Sequence, residues 1–260
     1  MTQRPLIGVM DSGFGGLSVL SEFQSMVSGV DFLYFGDLKN SPYGPKSKKE
    51  VLEHTEEIVN FFISEKCTSI LLACNTATSA AAFDLRSRYS IPIFGMEPAI
   101  KPAVTENPDQ KVAVFATSLT LREEKFNLLE RSLGVGHVLE PINCDGLASL
   151  IDREDFSGIH EFLSPKLKDL HSQSINLFVL GCTHYLLVKP YFYEFDESLR
   201  IYDGNTGTIR HMIKSLNLNS GRDKSGSEIQ IYLNGGGEQE LEIAQRYLNS
   251  YNRDARNYVR

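Results

Sequence analysis

The sequence has no long apolar segment and few cysteines. No apolar run approaches the roughly 18 residues of a membrane-spanning helix. The first residues lead into a strand-like run and not into the apolar core of a signal peptide. Only four cysteines occur among 260 residues, and no two form a C-x-x-C pair. These absences exclude a membrane protein and argue against a zinc finger or thioredoxin-type motif. We expect a cytoplasmic protein with free thiols and no bound metal.

Positive charge is also scarce. The chain has 26 lysines and arginines against 33 aspartates and glutamates, a formal net charge of −7. Attraction to a phosphate backbone therefore does not organise this surface, and we expect no nucleic-acid partner. With 42% hydrophobic and 23% charged residues, the composition is that of a globular protein that buries its own core without a metal or disulfide.

Short aliphatic runs alternate with longer amphipathic stretches, a pattern typical of a mostly parallel sheet covered by helices. It predicts strands at Leu6–Met10, Phe32–Phe35, Ile70–Ala73, Ile91–Phe94, Val112–Ala116, Leu177–Leu180, Arg200–Tyr202 and Glu228–Leu233. A break near Pro98–Pro102 separates two strand–helix series, and Asn217–Ser227 is a predicted loop. We expect an α/β fold of two similar three-layer domains related by an approximate twofold, with the active site in the cleft between them. The first comprises residues 1–97 and 205–260, and the second, residues 98–204, is inserted into it.

Two segments of the chain resemble each other. Ile70–Ala80 reads ILLACNTATSA and Phe178–Val188 reads FVLGCTHYLLV, each an apolar strand followed by cysteine, a threonine-containing polar pair and a helix-like stretch. The carboxyl ends of parallel strands line the ligand crevice of open α/β sheets. Cys74 and Cys182 are therefore predicted to face each other across one cleft.

A single free cysteine is most often a small core residue, and that reading suits Cys67 and Cys144. Cys74 and Cys182 differ because each follows a strand and begins a helix. The positive end of a helix dipole lowers a thiol pKa and favours thiolate. Two such thiols on either side of a substrate carbon would let one take a proton while the other gives one.

Further polar groups follow the same strand ends. The glycine-rich segment from Asp11 to Gly16 does not match a nucleotide-binding motif, but its backbone N–H groups can hold a carboxylate. Pro42-Tyr43-Gly44 is by itself a turn. His184 lies two residues beyond Cys182, where it is a candidate proton partner. Three further residues are of the type that caps helices and could also bind a carboxylate: Asn75, Thr76 and Thr183.

Together these motifs carry a family resemblance. The segments are DSGFGGLSVL from Asp11, Gly36-Asp37 with Pro42-Tyr43-Gly44, ACNTAT from Ala73 and GCTHY from Gly181. In this order and spacing they resemble the glutamate racemases of the cofactor-independent aspartate/glutamate racemase superfamily. The resemblance extends from the first strand to about Asp203.

The resemblance implies an enzyme that inverts the α-carbon of glutamate with two cysteines and no cofactor, in peptidoglycan biosynthesis. Cys74 would take the proton from the D-enantiomer and Cys182 from the L-enantiomer. Asp11 and His184 would assist Cys74 and Cys182 respectively, and Asp152 occupies the place of a supporting carboxylate. The positions that would hold the substrate are Asp11, Ser12, Tyr43, Gly44, Asn75, Thr76, Thr117, Thr183 and His184. A homodimer is compatible with the resemblance.

The chain departs from the family pattern at four places. Leu186 replaces a proline after the second cysteine motif, Glu123 replaces a serine, and Asp152 replaces a glutamate. The segment Gly95-Met96-Glu97-Pro98 is one residue shorter than in the family. None removes a catalytic thiol. A binding module with packed cysteines, an aspartate racemase and a redox-sensing dithiol are the alternatives that the sequence leaves open.

Overall fold

The computed structural model of the chain describes residues 4–122, 131, 138–221 and 227–251. Its strands are β1 (Leu6–Asp11), β2 (Val27–Ser28), β3 (Asp31–Gly36), β4 (Ser69–Leu72), β5 (Ile93–Gly95), β6 (Val112–Ala116), β7 (Leu139–Asn143), β8 (Leu177–Leu180), β9 (Arg200–Asp203), β10 (Asn219–Ser220) and β11 (Ile229–Leu233). Its α-helices are α1 (Gly16–Met26), α2 (Lys48–Ser64), α3 (Asn75–Arg88), α4 (Ile100–Glu106), α5 (Ser118–Arg122), α6 (Leu147–Asp152), α7 (Phe156–Ser172), α8 (Thr183–Leu187), α9 (Lys189–Phe195), α10 (Asn205–Ser215) and α11 (Glu238–Tyr251).

Nine of these strands form two parallel sheets, and β2 pairs separately with β10. The first sheet has the order β11-β3-β1-β4-β5, and the second has the order β7-β6-β8-β9. The predicted α/β fold with mostly parallel sheets is confirmed, and each of the eight predicted strands corresponds to an observed one. The proposed domain limits, residues 1–97 with 205–260 and residues 98–204, stay a prediction.

Both faces of each sheet are buried, because successive side chains of a strand point to opposite faces. In β1, Met10 joins the core beneath α2 and α3, whereas Val9 joins the core beneath α1 and α10. In β6, Phe115 packs beneath α6, α7 and α9, whereas Val114 packs against α4. Each sheet is therefore the middle layer of three.

The sequence pattern did not predict β7. Its residues read LEPIN, with a buried Leu139, a half-buried Glu140 and exposed Pro141 and Asn143. Because β7 lies at the edge of the second sheet, it has fewer apolar residues than the central strands and tolerates a proline. The sequence pattern therefore does not indicate that the loop after β7 reaches the candidate site.

The predicted loop Asn217–Ser227 is also partly wrong. Asn219 and Ser220 form β10, which pairs antiparallel with β2, while residues 222–226 lie outside the described part of the chain. Glu123, one of the four departures from the family pattern, also lies outside the described residues. No helix among those described has the length and apolar character needed to cross a bilayer.

Candidate active site

The carboxyl ends of four strands converge on one place. Asp11 ends β1, Cys74 follows β4 by two residues, Thr117 directly follows β6, and Cys182 follows β8 by two residues. β1 and β4 are neighbours in the first sheet, and β6 and β8 are neighbours in the second. The two sheets therefore each contribute one thiol and one further polar side chain.

Cys74 is the N-cap residue of α3. Its Sγ accepts a hydrogen bond from the backbone N–H of Ala77 at 3.4 Å, and its thiol donates to Oγ of Ser12 at 3.6 Å. The thiol is thus held between a helix N-terminus and the glycine-rich segment after β1.

The expected lowering of the pKa of Cys74 is wrong in this structure. Burial, assisted by the nearby carboxylate of Asp11, raises the pKa of the Cys74 thiol to about 12. The hydrogen bonds from Ala77 and with Ser12 oppose this rise but do not outweigh it. A helix terminus stabilises a thiolate by only about 1 kcal/mol, whereas full burial removes most of its hydration. Burial therefore favours the protonated thiol of Cys74 in this structure.

Cys182 precedes α8 and lies beside His184. Its Sγ is 3.9 Å from Nδ1 of His184, and both side chains are buried. On its other edge, Nε2 of His184 lies 3.0 Å from Oδ1 of Asp152, the last residue of α6. Neither of these two atoms meets hydrogen-bond geometry with a described residue, so the contact is an ion pair with poor alignment.

The charge state of His184 follows from its carboxylate neighbours. Burial is the largest single influence and would lower the pKa of this imidazole, but Asp152, Cys182 and Asp11 together outweigh it, with Asp152 contributing most. The net effect raises the pKa of His184 well above its ordinary value. These neighbours therefore favour the protonated imidazole next to the sulfur of Cys182.

Asp11 acts from behind the site. Its Oδ1 accepts the backbone N–H of Gly13 at 3.0 Å, and its Oδ2 accepts the hydroxyl of Thr183 at 2.8 Å. Burial raises the pKa of Asp11, partly offset by His184, whose Nδ1 is 4.0 Å from Oδ1. Asp11 therefore connects the loop after β1 with the start of α8.

The glycines of this loop are required by close packing. A Cβ on Gly15 would lie 2.5 Å from the backbone nitrogen of His184, and one on Gly13 would lie 2.7 Å from its Nε2. Only glycine lets the first sheet's loop approach the second sheet's histidine so closely. Tyr34 donates its hydroxyl to the Gly13 carbonyl at 2.7 Å and holds the loop in place.

Tyr43 lies in the loop after β3 and lines the same site. Its hydroxyl donates to Oδ2 of Asp37 at 2.6 Å, and Asp37 also accepts from the side-chain amides of Asn40 and Asn234. Burial and the Asp37 carboxylate raise the pKa of Tyr43, so its phenol stays neutral.

A chain of three threonine hydroxyls connects the two sheets. Oγ1 of Thr76, in the first turn of α3, is 3.0 Å from Oγ1 of Thr117, which is 3.1 Å from Oγ1 of Thr120. Hydroxyls both donate and accept, so this chain can turn toward a carboxylate.

These groups surround one small cavity. Its volume is about 20 Å³, which is room for one water molecule. Among the residues that the structure describes, no lysine or arginine is in the lining, which consists of Ser12, Pro42, Tyr43, Gly44, Pro45, Cys74, Thr76, Thr117, Cys144, Asp145, Gly146, Ala148, Cys182 and His184. Among the described residues, no cluster of three or more His, Cys, Asp or Glu side chains could hold a metal ion.

Comparison with known proteins agrees with the geometry. Residues 7–211 match the Asp/Glu/Hydantoin racemase family. A glutamate racemase of Leptospira interrogans (serovar copenhageni) is 47% identical over 251 residues, which cover 95% of this chain and 98% of the relative. The chain belongs to the Asp/Glu/Hydantoin racemase family. The resemblance inferred from the cysteine motifs is confirmed, as is the prediction that the protein is a racemase.

Solved structures of this racemase family share the fold. The glutamate racemase isoform RacE1 of Bacillus anthracis superimposes with a TM-score of 0.80 at 27% identity, covering 95% of both chains. The Escherichia coli glutamate racemase, in complex with L-glutamate and the activator UDP-MurNAc-Ala, has a TM-score of 0.79 at 26% identity. That comparison covers 94% of this chain and 95% of the other.

The predicted site residues of this racemase fall into two groups. Eight line the cavity: Ser12, Tyr43, Gly44, Cys74, Thr76, Thr117, Cys182 and His184. Four are not in the lining: Asp11, Asn75, Asp152 and Thr183. Of these, Asn75 is buried with an Oδ1 that has no hydrogen-bond partner among the described residues. Leu186 is buried in the core that contains Phe115 of the second sheet.

Among the unpredicted residues that line the cavity, two carry a thiol or a carboxylate, Cys144 and Asp145. Cys144, expected to be a core residue, is buried but also lines the cavity, and Asp145 lies beside it. Both follow the unpredicted strand β7. Recognising that edge strand would have placed them at the same carboxyl ends as Thr117 and Cys182.

Proposed function

We propose that this protein racemises glutamate without a cofactor, by proton transfer between the α-carbon and the thiols of Cys74 and Cys182. The observation that carries the proposal is that both thiols line one cavity, each from a different sheet and each at the start of a helix. A carbon held between two acid–base groups can lose a proton to one and gain a proton from the other.

The protonation states fit conversion of the L-enantiomer to the D-enantiomer. Cys74 holds its proton in the closed site, because burial raises its pKa to about 12. Cys182 lies beside the charged His184, which is placed to exchange a proton with it. In this assignment Cys182 removes the α-proton of L-glutamate and Cys74 protonates the opposite face. The reverse reaction exchanges the two roles.

Neutral donors would hold the substrate, because the described part of the chain places no lysine or arginine in the cavity lining. The hydroxyls of Ser12, Thr76 and Thr117 and the backbone N–H groups at the start of α3 can donate hydrogen bonds to carboxylate groups. Burial raises the pKa of Asp11. The ammonium group of a bound substrate would oppose this effect, because a nearby cation favours the ionised carboxylate.

The closed site must open to admit substrate. A cavity of about 20 Å³ cannot contain glutamate, which has ten non-hydrogen atoms by its formula. Because the lining comes from both sheets, separation of the Pro42–Pro45 loop from Thr117 and Asp145 would open it. Closing again would remove water from the reacting carbon.

The choice of glutamate rests on the relatives, which are named glutamate racemases. D-Glutamate made by such an enzyme would serve peptidoglycan biosynthesis in the cytoplasm, where four unpaired thiols remain reduced. Restored growth of a bacterial strain that requires D-glutamate, with no restoration by a Cys74→Ser variant, would support this role.

The deciding experiment is chiral analysis of glutamate after incubation with chelator-treated, cofactor-free protein in deuterated water. We expect racemisation together with deuterium at the α-carbon from either enantiomer. Aspartate is tested in parallel, and faster turnover of aspartate would overturn the choice of substrate. A binding protein or a redox dithiol would give no exchange with either amino acid, and activity restored only by added metal would contradict the mechanism.

A further inference from the structure

The loop after β7 brings a carboxylate to the wall of the cavity. Asp145 lines the cavity and lies opposite Gly44, whose Cβ, if present, would be 3.1 Å from Oδ1 of Asp145. The same Cβ would lie 3.0 Å from Cγ2 of Thr117. Asp145 and Thr117 therefore lie on one side of the boundary between the two sheets, and the Pro42–Pro45 loop lies on the other.

This loop is held firmly by its neighbours. The backbone N–H of Cys144 donates to the carbonyl of Ala116 at 2.9 Å, and the hydroxyl of Tyr185 donates to the Cys144 carbonyl at 3.0 Å. The N–H of Asp145 donates to Oδ1 of Asn143 at 3.0 Å. The carboxylate of Asp145 is thus presented from a fixed backbone.

The carboxylate makes a bond to a different loop. Its Oδ1 accepts the backbone N–H of Ser118, the first residue of α5, at 3.0 Å. Ser118 directly follows Thr117, whose hydroxyl contacts that of Thr76 across the two sheets. A first-turn N–H has no partner within its own helix, so this carboxylate satisfies a group that would otherwise lack one.

We infer that Asp145 is a positioning residue for substrate binding, which holds Thr117 in register with Thr76 by capping the N-terminus of α5. The inference rests on the proposed function, because it takes the Thr117 hydroxyl as a substrate contact. Asp145 acts through its oxygen acceptor and not through its charge. Its loss should weaken substrate binding while leaving proton transfer between the thiols largely intact.

Kinetics of Asp145→Ala and Asp145→Asn test this inference. Asp145→Ala removes the acceptor, and we expect KM for both enantiomers to rise about fivefold, the effect of losing one helix cap, with kcat within about twofold. Asp145→Asn retains Oδ1 as an amide oxygen and should restore KM to within about twofold of the parent. A rescue by asparagine separates the acceptor role from a charge effect.

Removal of the Ser118 N–H, which donates to Asp145, tests the same hydrogen bond independently. Ser118→Pro deletes the N–H at the first helical position, where proline is tolerated, and should raise KM as Asp145→Ala does. In a Thr117→Val background, Asp145→Ala should add less than about twofold, since both changes affect the same contact. The Ser118→Pro arm remains informative even where Asp145→Ala folds poorly.

Asp31→Ala is the matched control. Asp31 also accepts a backbone N–H from a distant segment, that of Glu228 at 2.9 Å, but it lies at the amino end of β3, away from the cavity. We expect it to lower the melting temperature without changing KM. An unchanged KM in Asp145→Ala, equal damage by asparagine and alanine, or additive effects with Thr117→Val would each overturn the inference. Failure of the parent protein to racemise glutamate would instead refute the proposed function.

Discussion

The imidazole of His184 is held between Cys182 and Asp152, with Nε2 3.0 Å from the Asp152 carboxylate. Cys182 and His184 belong to one short segment, but Asp152 comes from a different helix of the second sheet's layers. This carboxylate is the main group that raises the pKa of His184, and together with Cys182 and Asp11 it outweighs the effect of burial. The protonation of the group next to Cys182 is therefore set by a contact between helices.

Replacement of Asp152 tests this contact. Asp152→Asn removes the carboxylate charge that raises the pKa of His184, so burial should lower this pKa. Activity that needs the charged imidazole should then decline at lower pH than in the parent, and kcat at neutral pH should fall by about tenfold or more. The measurement is the pH profile of kcat. Glu154→Gln changes a partly exposed carboxylate two residues away, paired with Arg246, and should leave the profile unchanged. An Asp152→Asn profile identical to that of the parent would contradict the assignment.

The two thiols should differ in the face of the substrate that they serve. Cys74→Ser and Cys182→Ser should each abolish racemisation, because serine is a far weaker acid of similar shape. Each variant should still eliminate a leaving group from the β-carbon of one enantiomer of a suitable analogue: Cys74→Ser from the L-form and Cys182→Ser from the D-form. Elimination rates for both enantiomers provide the measurement.

Cys67→Ser serves as the control for these thiol variants, since Cys67 is buried in the first core and does not line the cavity. Its racemisation rate should stay within about twofold of the parent. Equal loss of elimination with both enantiomers in both variants would return Cys74 and Cys182 to a structural or redox role.

Alkaline pH should destabilise the fold through Cys74. Its pKa rises from about 9 in the unfolded chain to about 12 in the folded protein. The folded state consequently holds more protons than the unfolded state between these values, so stability falls as pH increases. The contribution of Cys74 is complete below pH 9 and is lost as pH rises through about 12.

Urea unfolding of the parent and Cys74→Ser measures this effect. The serine variant lacks the titrating thiol and should lose less stability between pH 8 and about 10.5 than the parent does. Parallel stability curves for the two proteins would show that Cys74 does not titrate with this pKa.

Gly15 should be essential for the approach of the two sheets. A Cβ at this position would lie 2.5 Å from the backbone nitrogen of His184, so Gly15→Ala must move the histidine or the loop. We expect kcat to fall by at least about a hundredfold, since an ångström of misplacement is costly in catalysis. Gly207→Ala is the matched control, because a Cβ there meets nothing within 4 Å in helix α10. Wild-type activity in Gly15→Ala would contradict this role.

Much of this arrangement could be predicted from the sequence. The apolar strands, the glycine-rich loop and the two cysteine motifs are local patterns, and they placed Cys74, Cys182 and His184 at the ends of parallel strands. Local patterns carry this information because strand ends, tight turns and helix starts each depend on a few consecutive residues.

The tertiary structure decided the rest. Strand β7 has the polar composition of a sheet edge, so only its pairing with β6 showed that Cys144 and Asp145 belong to the site. The helix start at Cys74 suggested a lowered pKa, but burial by both sheets raises it instead. Desolvation and charge pairing depend on groups far apart in the chain, such as Asp11 with Thr183 and Asp152 with His184. Only the folded chain brings these groups close enough to set the protonation of the site.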